Sequence, residues 1–571
     1  MHWKFRSENC PLVPESLTEW ARQLEISERL ASFLWQRGFR DLESMQLFLN
    51  PGLRGLASLD LWPGLNEAAL LIVEGLLAGK TLCVWGDYDV DGITATALVL
   101  EFMKMHGFEA AHHIPDRIAE GYGLNTSAVR RLAEEGVSIL LTVDCGISDM
   151  EAVAFARSLG MTVIISDHHM PAEDLPPANA LVNPRFHGSP CPALAGVGVA
   201  FLLMAAVNAA LHAAGRPKMD MRPLLDLVAL GTLADVVDLN GQNRILVKNG
   251  LLVIAQGQRV GLAALKSACK FSPTAALGAG QVVFTLAPRI NAAGRLGSSE
   301  CALELLLTRD RTRAQQLADQ LSRLNSERRE EEDRILLEAM EQAENQVNQG
   351  AMGLVLYSSG WHPGIIGIVA SRVVENMRRP TVVLSNTDGF LKGSGRSVPC
   401  FNMHEAFTRC SDLFLGFGGH KMAAGLSLEA EKLPSFKERF DVLAGEALGG
   451  APASAECKID GELSFADADF YLLKELEMLQ PFGMGNAEPI FTSPPVLVKN
   501  LRGRPGFTLM ELTDESSGIT MTAKAWRRLA DIPLNVKGKR ICLAYTPRID
   551  RYNGAATVEL RVKDWKLHEE A

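Results

Sequence analysis

The sequence lacks several features that would place it in a familiar class of protein. Its ten cysteines include no C-x-x-C pair, which argues against a zinc ribbon, and 571 residues are too many for a disulfide scaffold. No apolar run approaches the roughly 20 residues that cross a bilayer. Residues 1–8 have no apolar signal core behind their charges. We therefore expect a cytoplasmic protein with reduced thiols and no membrane segment.

An excess of basic residues is also absent. The formal net charge is −10 and the isoelectric point is near 5.7, so the total charge does not predict a nucleic-acid partner. Local basic patches can still bind phosphates, and metal ions can neutralise an acidic site. The hydrophobic fraction of 47% and the charged fraction of 22% are those of a globular protein. The length exceeds what one core supports, so about three domains are expected.

Hydrophobic periodicity predicts a doubly wound α/β architecture for the first large part of the chain. Between about 78 and 240, short apolar runs alternate with amphipathic stretches, as in a parallel sheet covered by helices. The runs 81–85, 138–143 and 161–165 are typical of buried strands. Helices are predicted between and after these strands, at 94–107, 126–135 and 149–159, and two more within 195–235.

The remaining segments show different patterns. Residues 1–75 are amphipathic and helical, and we interpret them as a structural cover. The charged helix predicted at 311–349 is interpreted as a solvated connection. A second α/β segment begins near 351, and apolar residues alternate after about 455 as in a small antiparallel barrel or sandwich.

An acidic turn follows the first predicted strand. Asp87, Asp89 and Asp91 lie within five residues, and carboxylates this close repel one another unless a cation lies among them. The same spacing opens a calcium-binding EF-hand loop. That loop needs a glutamate at its twelfth position, where this chain has Leu98, and here a strand precedes the turn, so an EF-hand is excluded.

Two other motifs are interpreted as structural. Residues 75–81 resemble a nucleotide-binding P-loop, but the motif is one residue short and precedes its strand instead of following it. His112 and His113 lie on a predicted strand with Asp116 as their acidic neighbour. We therefore expect neither motif to belong to the metal site.

More candidate metal ligands follow other predicted elements. Parallel strands bring their carboxyl ends to one edge of a sheet, where ligands collect. The candidates near that edge or in a similarly apolar context are Asp144, Asp167, His168, His169 and Asp235. Carboxylates with one or two imidazoles suit Mn²⁺ or Mg²⁺, and this number of candidates fits two ions better than one. The sequence thus predicts a two-metal site for phosphoryl chemistry.

Several motifs offer groups that bind anions. Arg289 and Arg295 lie among small residues, and a guanidinium can grip a phosphate with two hydrogen bonds. Glycines around Ser394 and Arg396 would let backbone N–H groups approach an anion, and Gly418-Gly419-His420 permits a similar approach. A surface ion pair remains an equal alternative for the two arginines.

In their order along the chain, these motifs resemble the DHH phosphoesterase superfamily. The resemblance rests on Asp89-x-Asp91-Gly92, Val143-Asp144-x-Gly146-Ile147-Ser148, Asp167-His168-His169 and Ala234-Asp235-Val236-Val237. The companion DHH-associated domain is matched by Gly393–Ser397 and Gly418-Gly419-His420-x-x-Ala423-Ala424-Gly425. Within the superfamily the chain is most similar to the RecJ family of bacterial 5′→3′ DNA exonucleases, through Glu120–Leu124, Ala195–Phe201, Pro288–Leu296 and Pro481–Pro489.

The resemblance implies a domain order. After a helical segment at 1–75, it places a DHH phosphoesterase domain with a parallel sheet at 76–310 and a connecting helix at 311–349. A DHH-associated α/β domain follows at 350–450. An OB-fold β-barrel at 451–571 suits the binding of a single strand.

The resemblance also implies roles for individual residues. Two Mn²⁺ or Mg²⁺ ions would be held by Asp89, Asp91, Asp144, His168 and Asp235. The implied catalytic set is His169, which would contact the scissile phosphate, with Asp167 and Asp87 beside the ligands. Substrate contacts are expected from Arg289, Arg295, Ser394, Arg396, His420 and Tyr122. Position 145 departs from the family pattern, because it is Cys where many RecJ-like sequences carry Asn, but no ligand is lost.

The implied activity is metal-dependent 5′→3′ hydrolysis of single-stranded DNA to 5′-mononucleotides, in repair and recombination. The implied partners are single-stranded DNA, a single-strand-binding protein and a RecQ-type helicase, and the expected state is a monomer. Two alternatives remain at this point. One is a phosphodiesterase for short oligonucleotides or cyclic dinucleotides, which would usually lack the extra barrel. The other is an inactive DNA-binding scaffold, which would have lost ligands that this chain keeps.

Overall fold

The computed structural model describes the chain apart from residues 118, 388, 455, 527–533, 551–555 and 569–571. The chain forms two compact units. Unit 1 comprises Met1–Leu56, Asp238–Asn249 and Ala455–Ala571. Unit 2 comprises Ala57–Val237 and Gly250–Ser454.

The elements are numbered along the chain. The strands are β1 (His2–Phe5), β2 (Leu82–Trp85), β3 (Ala110–His113), β4 (Ile139–Val143), β5 (Thr162–Ser166), β6 (Ala180–Val182), β7 (Leu354–Ser358), β8 (Thr381–Thr387), β9 (Phe390–Arg396), β10 (Gly416–Gly419), β11 (Ala423–Leu428), β12 (Glu456–Ile459), β13 (Gly461–Glu462), β14 (Phe491–Thr492), β15 (Val496–Arg504), β16 (Phe507–Thr513), β17 (Thr520–Trp526), β18 (Arg540–Asp550) and β19 (Thr557–Leu567). The helices are α1 (Leu17–Gln23), α2 (Glu28–Gln36), α3 (Leu42–Leu49), α4 (Leu65–Leu77), α5 (Val90–Met105), α6 (Thr126–Glu134), α7 (Met150–Ser158), α8 (Gly196–Ala213), α9 (Leu225–Ala234), α10 (Gly241–Gln256), α11 (Val260–Ala268), α12 (Ala279–Gln281), α13 (Ala287–Leu296), α14 (Glu300–Leu307), α15 (Arg311–Asn348), α16 (Ile366–Met377), α17 (Met403–Thr408), α18 (Leu433–Leu448) and α19 (Phe470–Met478).

Unit 2 contains the predicted parallel sheet, with strand order β3-β2-β4-β5-β6. Every residue of β2 and β4 is buried, because helices cover both faces. In the register of the sheet, Trp85 pairs with Thr142, and Val143 pairs with Ser166. The carboxyl ends of β2, β4 and β5 therefore meet at one edge, as the sequence predicts.

Helix α5 begins at Val90, four residues before the predicted start. The Asp89 side chain caps it by accepting hydrogen bonds from the N–H groups of Asp91 (2.8 Å) and Gly92 (3.1 Å). An aspartate at this position satisfies backbone donors that the first turn leaves unpaired. The acidic turn and the helix start are therefore one structure.

The second sheet of unit 2 is mixed, with strand order β10-β11-β9-β8-β7. Its strand β9 contains the Gly-Ser-Gly-Arg motif and lies between β8 and β11, so the N–H groups of Gly393 and Gly395 do not form the open anion-binding loop that the sequence suggested. A Cβ atom on Gly393 would lie 2.6 Å from Leu384, and one on Gly395 would lie 2.9 Å from Phe407. These glycines serve close packing.

Helix α15 is the predicted long charged helix, but one of its faces is buried instead of solvated. Its apolar side faces α11, α13 and α16, and three polar residues are also buried: Asn325, Arg328 and Glu332. Arg328 donates to Asn325 (2.9 Å) and pairs with Glu332, which also pairs with Arg372 of α16 (2.6 Å). The long helix is an integral part of unit 2.

Helix α8 is long and apolar enough to cross a membrane, which the sequence analysis overlooked. Its 18 residues have a mean hydropathy of 1.8, and 72% of them are buried inside the protein. Such burial is typical of a core helix. In this chain α8 packs on α4, α5 and α9.

Unit 1 contains a closed barrel in which β15, β16, β17, β19 and β18 pair in turn and β18 returns to β15. This five-stranded closure is the arrangement expected for an OB-fold. The alternation of apolar residues after about 455 predicted a small antiparallel barrel or sandwich, and the structure shows the barrel. The part of the prediction that falls on residues 527–533 and 551–555 lies outside the described residues.

The N-terminal helices belong to the same unit as the barrel. Residues of α1, α2 and α3 share one hydrophobic cluster with the barrel strands, and the rings of Phe33 and Phe491 lie 5.2 Å apart. Strand β1 pairs in parallel with β12. The predicted boundary at residue 75 therefore differs from the structure, because Met1–Leu56 group with the C-terminal barrel and Ala57 begins unit 2.

Candidate metal centre

Asp91 is fixed by the first turn of α8. Its two carboxylate oxygens accept hydrogen bonds from the N–H groups of Gly196 (2.7 Å) and Val197 (3.0 Å). A helix N-terminus favours a negative charge, so α8 both orients this carboxylate and favours its ionised form. A Cβ atom on Gly196 would collide with the carboxylate of Asp144, which explains why glycine begins this helix.

Asp144 follows β4 in a left-handed backbone conformation, with φ of 63°. A residue other than glycine pays about 1–3 kcal/mol for such a conformation. Its N–H group is held by the carbonyl of Ser166 (2.9 Å), and the side chain is 2% exposed. The backbone strain turns the carboxylate toward the side chains that follow β2 and β5.

The Asp167-His168-His169 segment follows β5 and is held by the first of its residues. The Asp167 carboxylate accepts hydrogen bonds from the backbone N–H groups of Ile147 (3.0 Å), His168 (2.7 Å) and His169 (3.1 Å), and from Nδ1 of His169 (2.7 Å). Asn183 donates to the His169 carbonyl (2.9 Å). Asp167 therefore acts as a structural anchor for both histidines.

These contacts set the charges of the pair. Burial opposes ionisation of Asp167, but the hydrogen bonds from His169 and from the backbone prevail and lower the pKa of Asp167. Burial likewise opposes a positive charge on His169, but its bond to Asp167 raises the pKa of the imidazole to about 9. His169 is therefore a cation at neutral pH, with Nδ1 tied to Asp167.

His168 faces three carboxylates that come from different elements. Its Nε2 atom lies 3.1 Å from Asp144, 3.7 Å from Asp235 and 4.0 Å from Asp91. Asp235 is the C-cap residue of α9. The structure therefore brings the predicted ligand from α9 to the edge of the sheet.

The described residues form three overlapping groups whose potential ligand atoms lie within 4.8 Å of one another. The groups are Asp144, His168 and His169; Asp91, His168 and Asp235; and Asp87, Asp89 and Asp144. All five predicted metal ligands belong to them, together with Asp87 and His169 from the predicted catalytic set. Asp167 lies beside them as the anchor of the histidines.

The electrostatics of this cluster indicate a bound cation. Burial, reinforced by neighbouring carboxylates, raises the pKa of Asp87, Asp91 and Asp144 well above the usual range. Among the described residues, buried oxygens of Asp87, Asp144 and Asp235 have no hydrogen-bond partner. A divalent ion would satisfy these oxygens and reverse the repulsion. Carboxylates with imidazole fit Mn²⁺ or Mg²⁺.

An exposed aromatic surface borders the carboxylates. The Tyr122 ring is 48% exposed and lies 5.7 Å from the His169 ring. Its hydroxyl donates to the carbonyl of Asp144 (3.4 Å). Tyr88 lies edge-on to Tyr122 at 6.5 Å, and the Arg117 guanidinium lies 4.9 Å over the Tyr88 ring. This surface offers a flat face and a positive charge next to the metal ligands.

Positive side chains gather on the same side of unit 2. Arg295 donates to the carbonyl of Gly364 (2.9 Å), and Arg396 donates to the hydroxyl of Ser394 (2.9 Å). Burial, together with the charges of Arg117, Arg328 and Arg396, lowers the pKa of Arg295 to about 10. Buried guanidinium groups repel one another. A bound anion would relieve this repulsion and stabilise their charged form.

The sequence analysis missed parts of this basic cluster. A Cβ atom on Gly367 would lie 3.1 Å from both Ser394 Oγ and Arg396 Nη2, so the first turn of α16 lies directly beside these side chains. Arg117 was also missed, although it precedes the Glu120–Leu124 motif by three residues. The glycines at 364 and 367, on either side of a helix start, were the available signal.

Two predicted substrate residues lie elsewhere. Arg289 donates to Ser322 (3.1 Å) and to the carbonyl of Thr285 (2.5 Å). His420 is exposed in the turn between β10 and β11. In the part of the chain that the structure describes, no hydrogen bond or ion pair joins either residue to the carboxylates. Their roles in substrate binding stay predictions.

The remaining motifs have structural roles. Nε2 of His112 lies 3.0 Å from Glu300 and Nε2 of His113 lies 3.0 Å from Glu120, so both histidines contact glutamates outside the candidate metal groups. The Cys145 thiol is buried 3.7 Å from the carbonyl of Trp85, and burial raises its pKa well above the usual range. It is therefore a neutral thiol that packs beneath the ligands.

Comparison with known proteins identifies three domain families in the chain. Residues 81–232 match the N-terminal domain of the DHH family, residues 350–446 match the DHHA1 domain, and residues 459–564 match the RecJ OB domain. The boundaries agree with the two sheets of unit 2 and the barrel of unit 1.

Similar proteins include bacterial proteins named single-stranded-DNA-specific exonuclease RecJ. The protein of Bacillus subtilis is 35% identical over 579 residues, which cover 100% of this chain and 71% of the relative. That of Dickeya dadantii is 39% identical and covers 84% of each chain. The crystal structure of RecJ from Thermus thermophilus with Mn²⁺ superposes with a TM-score of 0.85 at 33% identity, over 100% of this chain and 80% of that one.

Proposed function

The chain belongs to the RecJ family of single-stranded-DNA-specific exonucleases, and from this premise we propose that it removes 5′-mononucleotides from the 5′ end of single-stranded DNA. One observation carries the proposal. The buried carboxylates and the basic cluster lie in the same unit and meet at Tyr88, whose ring is covered by Arg117 and whose backbone lies between Asp87 and Asp89. The residues that would hold the metal ions are thus adjacent to the residues that would bind the phosphate.

Asp89, Asp91, Asp144, His168 and Asp235 would hold two Mn²⁺ or Mg²⁺ ions. When bound, these ions supply Lewis acidity and a water of lowered pKa. The chain's own contribution is orientation and charge. Helix α8 holds Asp91 in place, and Asp167 fixes the ring of His169 so that its Nε2–H can donate to the scissile phosphate. His169 is positively charged at neutral pH, which suits that contact.

The basic cluster would hold the terminal 5′-phosphate and thereby set the polarity of degradation. Ser394, Arg396 and Arg295 supply donors, and Arg117 adds positive charge. Tyr122 offers an exposed ring on which any base can stack, which gives affinity without sequence preference. Only an unpaired strand end can place its terminal phosphate in the basic cluster and its base on the Tyr122 ring. This requirement would select single-stranded DNA over duplex DNA.

The barrel of unit 1 would bind the same strand at other nucleotides. The rings of Phe507 and Trp526 lie 4.6 Å apart, and Trp526 is 42% exposed. Exposed aromatic side chains on an OB-fold are typical stacking platforms for single-stranded nucleic acid. This barrel also argues against the alternative of a phosphodiesterase for dinucleotides.

The cellular setting is proposed from the family and from composition. No disulfide joins cysteines in the part of the chain that the structure describes, which fits a reducing cytoplasm. We propose that the protein acts there as a monomer in DNA repair and recombination, with a single-strand-binding protein and a RecQ-type helicase as partners. Co-purification from cells would test these partners.

The proposed activity is tested by digestion of oligonucleotides labelled at either end. With Mn²⁺ present, we expect a 5′-labelled single strand to release labelled mononucleotide at once and a 3′-labelled strand to shorten step by step. Blunt duplex DNA and a dinucleotide serve as controls. Release from the 3′ end first would refute the polarity, and faster turnover of the dinucleotide would favour the alternative function.

Replacing Arg396 by methionine is expected to weaken the hold on the terminal phosphate. Loss of a charge-assisted hydrogen bond costs about 1.5–3 kcal/mol, so KM for a 5′-phosphorylated strand should rise about 10-fold to 100-fold. A strand with a 5′-hydroxyl lacks this contact, so its KM should change little. Equal effects on both strands would show that Arg396 does not contact the 5′-phosphate. Arg222→Met, which removes an exposed arginine that pairs with Asp220, provides a control from outside the basic cluster.

A further inference from the structure

Two helices of unit 2 carry metal ligands at their adjoining ends. Asp91 lies in the first turn of α5, and Asp235 is the C-cap of α9. Both carboxylates face Nε2 of His168. The helices pack along each other, so α5 leads away from the metal centre while α9 leads toward it.

The other ends of the same helices meet in a buried ion cluster. Arg259, the N-cap residue of α11, binds both carboxylate oxygens of Asp226 at 2.7 and 3.1 Å, and its Nη1 lies 3.8 Å from Glu101. Asp226 is in the first turn of α9, and Glu101 is in the last part of α5. These three side chains are 4–7% exposed.

The cluster is also tied to the surrounding fold. Arg259 donates a further hydrogen bond to the carbonyl of Leu306 at the end of α14 (2.9 Å), and Arg309 pairs with Glu101 from the solvent side. The Asp226 carboxylate additionally accepts the N–H group of Leu227 (2.8 Å). The charges of Arg259, Asp226 and Glu101 are thus hydrogen-bonded and held in one geometry. Under this condition a buried ion pair can fix the register of the helices it joins.

We propose that Arg259, Asp226 and Glu101 are positioning residues that set the separation of Asp91 and Asp235 and thereby tune metal affinity. This inference rests on the proposed metal-dependent function. Glu101 is ten residues beyond Asp91, about 15 Å along the helix, and Asp226 is nine residues before Asp235, about 14 Å. The cluster is therefore too far from Asp91 and Asp235 to share a metal ion with them and acts only through the two helices.

Close packing between the helices explains how a distant shift reaches the ligands. Gly231 of α9 lies directly against α5, and a Cβ atom there would collide with Thr94 and would lie 2.8 Å from the Asp91 carboxylate. Because α5 and α9 are tightly packed where they cross, a shift at one end of these helices must rotate or displace their other ends. A packed interface of this kind transmits displacement instead of absorbing it.

The test measures Mn²⁺ binding directly, by calorimetric titration of the full chain without DNA. Asp226→Asn leaves the buried guanidinium with an uncharged partner, and we expect the dissociation constant for Mn²⁺ to rise about tenfold, within the range of couplings between distant sites. Glu101→Gln is the milder variant, because Arg309 can turn to solvent. It should raise the constant about threefold.

Asp460→Asn is the matched control. Asp460 forms a similarly buried pair with Arg37 (2.9 Å) in unit 1, so its loss should lower the melting temperature in the same way. The dissociation constant of Asp460→Asn for Mn²⁺ should equal that of the wild type. An equal loss of Mn²⁺ affinity in this control would show a general effect of destabilisation and would overturn the inference.

The remaining outcomes separate the inference from the proposed function. If the wild type binds Mn²⁺ and both Asp226→Asn and Glu101→Gln bind it equally well, the positioning role is refuted while the metal centre stands. If the wild type itself binds no Mn²⁺ at millimolar concentration, the proposed function fails and the inference fails with it. Should Asp226→Asn not fold, Glu101→Gln decides alone.

Discussion

Replacing Asp91 by alanine is expected to reduce hydrolysis of single-stranded DNA by at least about 10³-fold, or about 4 kcal/mol of transition-state stabilisation. Asp91 faces His168 and stands in one ligand group with Asp235, so its loss removes a side chain that would hold a metal ion. The variant should remain folded, because the deleted carboxylate is repelled by its neighbours. Retained activity with Mn²⁺ would refute the site assignment.

The Asp91 carboxylate should destabilise the folded protein when no metal is bound and stabilise it when Mn²⁺ is bound. Folding raises the pKa of the Asp91 carboxyl, so this group stabilises the metal-free protein below its unfolded pKa, and that contribution is lost as pH rises through the folded value. At neutral pH without metal, Asp91→Asn should therefore melt at a higher temperature than the wild type. When Mn²⁺ is added, the melting temperature of the wild type should rise more than that of Asp91→Asn. Melting curves with and without Mn²⁺ measure both effects.

Asp460→Asn again supplies the matched control for these measurements. Asp460 and Asp91 are almost equally buried, but Asp460 is neutralised by Arg37 and Arg6. Its replacement should lower the melting temperature with and without Mn²⁺ and leave hydrolysis in place. A lower melting temperature for metal-free Asp91→Asn would show that the hydrogen bonds to α8 outweigh the repulsion between carboxylates at the centre.

The metal centre was predictable because its geometry follows from local rules. Parallel strands end at one edge of a sheet, so Asp91, Asp144 and His168 had to be neighbours once the strands were recognised. Asp235 was found through its apolar context, since a carboxylate there needs a partner. The start of α5 was placed too late, because the capping role of Asp89 was read only as metal chemistry.

The basic cluster was less predictable, because its members come from distant segments. Arg295 and Arg396 were named, but nothing in the sequence tells that Arg289 turns toward Ser322 while Arg295, six residues later on the same helix, turns toward Gly364. The glycines near Ser394 looked like an anion-binding loop and are strand residues. Glycine permits close packing as well as open turns, and sequence does not distinguish these uses.

The C-terminal barrel was predicted, but its association with two distant segments in unit 1 was not. The three segments of unit 1 are separated by hundreds of residues, and periodicity gives no information about such pairings. The middle segment, Asp238–Asn249, contains Arg244, which no sequence motif singles out. In the structure its side chain is almost completely buried, so burial of a charged residue was the decisive information that the sequence withheld.

Replacing Arg244 by methionine is expected to destabilise unit 1 by about 3–5 kcal/mol. The guanidinium donates to backbone carbonyls from two parts of the chain: Phe48 (2.8 Å), Met478 (3.2 Å), Leu479 (3.1 Å), Gln480 (2.8 Å) and Pro481 (3.5 Å). It also lies 3.7 Å over the Phe48 ring. Methionine fills similar space and removes the guanidinium donors, while Asn486 still donates to the carbonyls of Leu479 and Pro481 (2.8 Å each). Helix α19 ends at Met478, so the Met478 carbonyl is one that the helix itself leaves without a donor.

Thermal unfolding followed by tryptophan fluorescence measures this effect, since Trp20 and Trp35 lie in the same hydrophobic cluster as Phe48. We expect the unit 1 transition to fall by roughly 10 °C. Arg244→Lys should fall between the variant and the wild type, because an ammonium has three donors for five carbonyls. Arg222→Met removes an exposed arginine that pairs with Asp220 and should leave the curve unchanged. An Arg244→Met protein as stable as the wild type would mean that water replaces the guanidinium at these carbonyls, and the residue would then have no structural role.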